Sequence, residues 1–375
     1  MTRTTLPSRL CVVSNAAEII IRAGMDTPSH GLAGALLTRS LTQRPGARAA
    51  LWIGFLAAML PDADSLFLSD RLDYLRNHRG WSHSFVYLPL LAFGAAAIAR
   101  LVFRRGRFLD LWIFAAAGIA SHIFFDWITS FGTMFFTPIS RKRYSLDWLF
   151  IIDLFFTGIG GVGLLLSMIF PSRGRRIAAA GCLVLGGYLA FCAILHARAL
   201  EAWRRIDRPP PGARVAVLPQ LLSPFRWLGL SDHGESVHAC FFDIGPFARA
   251  VPAPRVPERL WETFRRLPDF YPPPARARIR IFAKPVESPA LARARSLPEV
   301  SVYLAFARFP LETVTPESDG SASVTFEDLR FLPFFSGPWA RARSGYTREP
   351  FVYRVRLDSS GRPLERGFVM SGRPR

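Results

Sequence analysis

Four histidines and three aspartates recur as short groups along the first third of this 375-residue chain. His30 lies in SHGLAGALL, Asp62 and Asp64 in MLPDADSLF, His78 and His83 in RNHRGWSHSF, and His122 and Asp126 in ASHIFFDW. Imidazole and carboxylate together are the donors of zinc, manganese and iron sites. Seven such donors exceed what one ion needs. A divalent metal is therefore expected, zinc first with manganese or iron as alternatives, as one ion or two. Such a cation lowers the pKa of a bound water and stabilises charge developing on a phosphoryl or carbonyl oxygen. Asp147 and Asp153, further along, are candidates to orient a ligand or to serve as a base; Asp126 and Asp153 are the expected catalytic carboxylates.

Spacing restricts how these groups meet. His122 and Asp126 are four apart, which puts them on one face of a helix, one turn from each other. Asp62 and Asp64 flank a turn after Pro61, so both carboxylates can face one centre. His78 and His83 are five apart, about 140° on a continuous helix. They converge only if the chain breaks at Gly80, with His78 in a loop and His83 in the first turn of the next helix. Ser82 or Ser84 would then cap that helix. Taken singly, each histidine is better explained by a structural role. The joint arrangement points to a shared site.

The elements that must hold these residues are apolar. Half of all residues are hydrophobic, and they concentrate before residue 200. Phe85–Phe103, Phe108–Thr129, Trp148–Phe170 and Ile177–His196 each run about 19–23 residues, enough to cross a ~30 Å hydrocarbon layer. His30–Leu41 and Ala47–Leu60 are shorter and read as tilted, re-entrant or packed behind the others. The expected fold is an α-helical integral membrane bundle of four full-length and two short hydrophobic helices, followed by a small β-rich extramembrane domain. If each apolar stretch crosses once, the loops joining the first and second, third and fourth, and fifth and sixth carry ten basic residues and no acid. The opposite loops carry six basic residues. The positive-inside rule puts the first set in the cytoplasm and the His/Asp groups on the periplasmic side of a bacterial inner membrane. Ionisable residues set into an apolar run, as His122 and Asp126 are, cost about 2.5–3.5 kcal/mol each on insertion scales and are generally paired or bound.

Four domain-level segments follow. Residues 1–24 lack the order of a signal peptide and read as a doubtful extension, since Met25 opens MDTPSHGLAGALL like a natural start. Residues 25–200 form the membrane part, 201–212 a proline-rich linker, and 213–375 the β-rich part. In the last, RARIRIFA (276–283), VSVYLAFARF (300–309) and ASVTFEDLRF (322–331) alternate like strands. Residues 351–370 read as a hairpin around Ser359-Ser360-Gly361, and PERLWETFRRL (257–267) as a helix starting at Pro257. His233 and His238, in SDHGESVHACF, are explained by turn and strand positions. The four cysteines do not form a disulfide framework and read as buried apolar groups. The net charge of +19 comes with no nucleic-acid motif; membrane lipid headgroups are the expected partner, at about 1 kcal/mol per basic residue.

SHGLAGALL, LPDADSLF, HRGWSHSF and SHIFFDWITSFGT, in that order, resemble the successive motifs of the membrane-bound metal-dependent hydrolases, the inner-membrane YdjM/YbcI-like group, over roughly Met25 to Phe156. The resemblance implies metal ligands at His30, Asp62, Asp64, His78, His83, His122 and Asp126, and a hydrolase without naming its substrate. The His-x-x-x-Asp pair is also distantly similar to that of zinc-dependent phospholipase C and P1-type nucleases, which favours phosphoesters. Two functions follow. One is a membrane-embedded hydrolase of an amphiphile, a lipid or lipid-linked ester or phosphoester, acting through a metal-activated water. The other is a non-catalytic membrane protein with a structural or transported metal; the lack of an internal repeat disfavours transport.

Overall fold

A computed structural model describes residues 27–42, 47–104, 106–246, 270–332 and 351–369. The extension at 1–24, Cys11 and the helix expected over 257–267 lie outside the described residues. The chain divides into two compact units, one of residues up to 69 with 77–191, the other of 70–76 with 192–375.

The first unit is helical. Its helices are α1 (Thr27–Leu41), α2 (Ala47–Met59), α4 (Leu88–Phe103), α5 (Phe108–Ile128), α6 (Leu154–Ile169) and the first half of α7 (Gly174–Asp207), whereas α3 (Arg71–Asn77), but for its last residue, falls in the other unit. Two 3-10 turns interrupt the series, at Pro61–Phe67 and Trp81–His83. α1 packs on α2, α5 and α6, and α5 on α2 and α4. Small residues permit the closest approach: a Cβ added at Gly54 of α2 would lie 2.7 Å from the Gly34 carbonyl oxygen of α1. One at Gly118 of α5 would lie 2.8 Å from that of Gly54. With lipid outside, such close backbone contact supplies the packing that apolar burial supplies in water. Large side chains face outward instead, including Leu90, Phe93, Ile98 and Leu101 on α4 and Leu183 and Val184 on α7.

Four full-length spans were expected, and the helix count differs. Among the described residues two helices, α5 and α7, are long and apolar enough to cross a membrane. There are up to four if each of two bent pairs is one span: Arg48–Met59 with Pro61–Phe67, bent by 47°, and Arg71–His83 with Leu88–Phe103, bent by 76°. The reason lies at the ends of the apolar runs. α4 begins at Leu88 rather than Phe85 because residues 81–84 are spent on a turn. α6 begins at Leu154 rather than Trp148 because Asp153 caps it, its carboxylate accepting the Phe156 N–H at 2.8 Å. At 16 residues α6 falls short of a span.

The second unit is α+β. α7 continues past the apolar run to Asp207, and the chain then turns through left-handed Arg208 (φ 49°) and three prolines. Two antiparallel four-stranded sheets follow: β1 (Arg214–Gln220), β2 (Ser223–Asp232), β3 (Ser236–Asp243) and β4 (Arg280–Ala283) in order, then β5 (Pro310–Pro316), β6 (Ala322–Asp328), β7 (Tyr353–Leu357) and β8 (Pro363–Phe368) in order. The expected final hairpin is present as β7–β8, with Gly361 at φ 81° in its turn and Tyr353, Val355 and Leu357 buried on alternate positions. VSVYLAFARF is not a strand: Pro298–Phe306 is a helix, α9, which follows α8 (Pro289–Arg295). Pro298 at its first position and Val300, Tyr303 and Phe306 buried three apart fit a helix as well as alternation fits a strand. Cys182, Cys192 and Cys240 are free thiols, and burial pushes that of Cys240 up to about 11.

Candidate metal centre

The Asp62 turn, the His83 turn and α5 bring four side chains to one point. Pro61 starts a 3-10 turn directly after α2, and this carries Asp62 and Asp64 back over the end of the helix. Asp62 Oδ1 lies 3.6 Å from His83 Nε2 and 3.5 Å from His122 Nε2. Asp126 Oδ2 lies 3.0 Å and 3.4 Å from the same two atoms, and the two Nε2 atoms are 3.0 Å apart. One ligand atom from each of Asp62, His83, His122 and Asp126 thus falls within 4.8 Å of all the others. Metal–ligand bonds of ~2.0–2.1 Å in a tetrahedron require ligand atoms about 3.3–3.4 Å apart. The observed separations bracket that edge.

Hydrogen bonding around the two imidazoles fixes which nitrogen faces the centre. His122 Nδ1 is 2.6 Å from the Ala58 carbonyl oxygen, which only accepts, so Nδ1 holds the proton. Ser82 donates its hydroxyl to Asp64 Oδ2 at 2.7 Å and therefore accepts from His83 Nδ1 at 2.8 Å. Nε2 of each ring then faces the other ring and the two carboxylates. Asp126 is buried, with Oδ1 against the Arg79 guanidinium at 2.8 Å and Oδ2 against the two imidazoles. Two imidazole nitrogens and two carboxylate oxygens turned to one point are a donor set that fits a divalent ion.

The remaining expected residues are one layer out. Asp64 Oδ1 pairs with His78 Nδ1 at 2.8 Å, while Oδ2 takes Ser82 and the backbone N–H of Arg79, at 3.3 Å. Asp64 and His78 therefore support His83 through Ser82. His30 Nε2 stands 3.4 Å from Asp126 Oδ1, and its ring lies against that of His122 at 4.1 Å. Asp153, besides capping α6, accepts the Tyr188 hydroxyl at 2.9 Å. Asp147 is buried with a left-handed φ of 59°.

The bend between the two histidines departs from expectation. Arg79 takes the left-handed conformation, at φ 59°, rather than Gly80, and His83 sits in its own 3-10 turn rather than in the first turn of α4. Gly80 is still required, since a Cβ there would stand 2.6 Å from the Asn77 carbonyl oxygen. Neither serine caps α4: Ser84 donates to the Phe135 and Thr137 carbonyls, and Tyr87 is the cap position without a side-chain bond.

Arg79 is the residue that motif reading missed. It is buried, with Nη2 2.8 Å from Asp126 Oδ1, Nη1 3.0 Å from Thr129 Oγ1, and its guanidinium over Phe131 at 5.0 Å. Its Nε has no hydrogen-bond acceptor among the described residues. The available signal was an arginine lying between His78 and His83; in sequence it counted only as a loop cation.

Comparison with known proteins agrees with the motif order. Residues 25–199 match the family described as YdjM inner membrane protein, beyond the 25–156 over which the motifs were read. The chain is 31% identical over 142 residues to the uncharacterized protein YfhP of Bacillus subtilis (strain 168), covering 35% of this chain and 42% of that one. It is 32% identical over 102 residues to the inner membrane protein YbcI of Escherichia coli (strain K12), covering 26% and 58% respectively. The chain thus spans less than two thirds of either relative. No solved structure matches it. The family match and the apolar helices support an inner membrane protein, and its His/Asp groups could bind a metal.

Proposed function

We propose, for a chain whose residues 25–199 belong to the YdjM inner membrane protein family, a membrane-embedded metal-dependent hydrolase acting on a lipid or lipid-linked phosphoester. The observation that carries this reading is the convergence of Asp62, His83, His122 and Asp126 on one buried point, with Nε2 of both histidines facing inward. A divalent cation there, zinc by the chemistry of the donors, supplies Lewis acidity and a water nucleophile active near neutral pH. Arg79 holds Asp126 in place and keeps an unused buried Nε–H beside the centre, a donor suited to a phosphoryl oxygen. Asp62 is the donor closest to solvent, and Thr27 holds its other oxygen at 2.5 Å; it is the side from which substrate would approach. The ligand-bearing turns expose Leu66, Phe67 and Trp81, apolar surface suited to an acyl or isoprenoid chain. By the loop charges, the centre faces the periplasm.

A second reading has an observation of its own. Four protein donors at tetrahedral spacing close the coordination sphere, as structural sites do, whereas catalytic ones keep a position open. The experiment is to purify the chain in detergent, measure bound metals, and assay lipid phosphodiesters alongside His83→Ala and Asp126→Ala. Metal and turnover lost together support the hydrolase. Metal lost with no turnover even in the unaltered chain supports the structural ion, and undiminished metal in both variants refutes both readings.

A further inference from the structure

The part of the second unit beyond residue 199, where the family match ends, holds another convergent donor set. Asp207, the last residue of α7, directs Oδ2 at His233 Nε2 (2.8 Å) and Oδ1 at His238 Nδ1 (2.6 Å). Three separate elements supply the group: the helix end, the β2–β3 turn and strand β3. The ligand atoms lie within 4.8 Å of one another. The two imidazoles stack face to face at 3.8 Å with 20° between their planes. A shared cation can take the place of the two hydrogen bonds and hold both rings and the carboxylate together.

The scaffold is built for such a site. The Asp207 side chain has no exposed surface, and it is backed by Ser231, whose hydroxyl also accepts the fully buried Trp203 indole N–H at 2.7 Å. His238 is directly opposite Ser231 in the β2–β3 register. His233 is fixed by its N–H to the Ser236 carbonyl at 2.9 Å and by left-handed Gly234, at φ 87°. The rings keep 18% and 17% exposure, enough for solvent to complete the coordination. Carboxylates that both orient and ligate, with imidazole partners, suit zinc, cobalt, nickel and copper.

We propose that Asp207, His233 and His238 form a second, solvent-accessible site for a divalent transition metal, independent of the membrane centre. It requires the nitrogens and oxygens to draw apart by a few tenths of an ångström from their present hydrogen-bonded spacing. The test uses the full chain in detergent, stripped with chelator and titrated with zinc, metal content being read after gel filtration. The unaltered chain should bind one equivalent more than His233→Gln/His238→Gln. His83→Ala/His122→Ala should leave that equivalent in place, so failure of the membrane centre and failure of this site read separately. His233→Gln alone, at the turn, should weaken zinc binding at this site at least tenfold, which keeps the test valid should the double variant not fold. Equal zinc content in the unaltered chain and the tail variants, with unchanged circular dichroism, would overturn the proposal.

Discussion

Ser82→Ala is the sharpest test of how the membrane centre is held. The hydroxyl is buried, donates to Asp64 at 2.7 Å and accepts from His83 Nδ1 at 2.8 Å. Its loss removes one hydrogen bond to a carboxylate, of about 1.5–3 kcal/mol, and one neutral bond of about 1 kcal/mol. It also frees the His83 proton to move to Nε2, where it would compete with the ion. Orienting partners of metal-bound histidines typically contribute 10–100-fold in affinity, or about 1.4–2.7 kcal/mol. Zinc affinity, measured by competition with a chromophoric chelator, should fall by that factor without loss of stoichiometry. Ser84→Ala is the control two residues on: its hydroxyl serves the Phe135 and Thr137 carbonyls, so the variant should lose thermal stability while binding zinc as before. Equal affinities for unaltered chain and Ser82→Ala, or an equal loss in Ser84→Ala, would refute the orienting role.

Three further outcomes are expected. Arg79→Met strands the fully buried Asp126 carboxylate and should destabilise the metal-free protein by about 3–5 kcal/mol; saturating zinc should recover part of that loss in melting temperature. Gly118→Ala forces a Cβ to 2.8 Å from the Gly54 carbonyl oxygen and 3.1 Å from the Ala57 Cβ, costing about 1–3 kcal/mol by overpacking, read as a lower midpoint in detergent melting. Burial alone would raise the Asp232 carboxyl, but the Lys284 ammonium at 2.7 Å and the Gly234 N–H hold it below the usual range. A depressed carboxyl contributes stability that is complete above its unfolded value of about 3.9 and lost as pH falls through its folded one. Asp232→Asn should therefore flatten the acid limb of the melting profile below about pH 4 and lower stability at neutral pH.

The donor residues were legible because chemistry and spacing agree. The i, i+4 relation of His122 and Asp126 needs nothing beyond a helix, and that helix is the most apolar stretch before residue 130. What sequence could not supply was the layering. Asp62 and Asp64 differ by two positions, yet one faces the centre and the other turns to His78 and Ser82; a 3-10 turn decides that, and no period announces it. Helix lengths were overread for the same reason, since an apolar run does not reveal where its end is diverted into a ligand-bearing turn. In the tail, β1 and β2 escaped notice because buried strands there do not alternate, while Pro298–Phe306 alternated and is helical.

The four convergent atoms come from positions 62, 83, 122 and 126, which gives the centre a history during synthesis. No nascent chain shorter than Asp126 carries the full set, and the first two donors leave the ribosome well before α5. Until α5 is laid into the bilayer, Asp62 and His83 have neither the second imidazole nor the carboxylate they will share. Any ion held by all four donors is thus captured only once α5 is in place, with α6 and α7 still to follow.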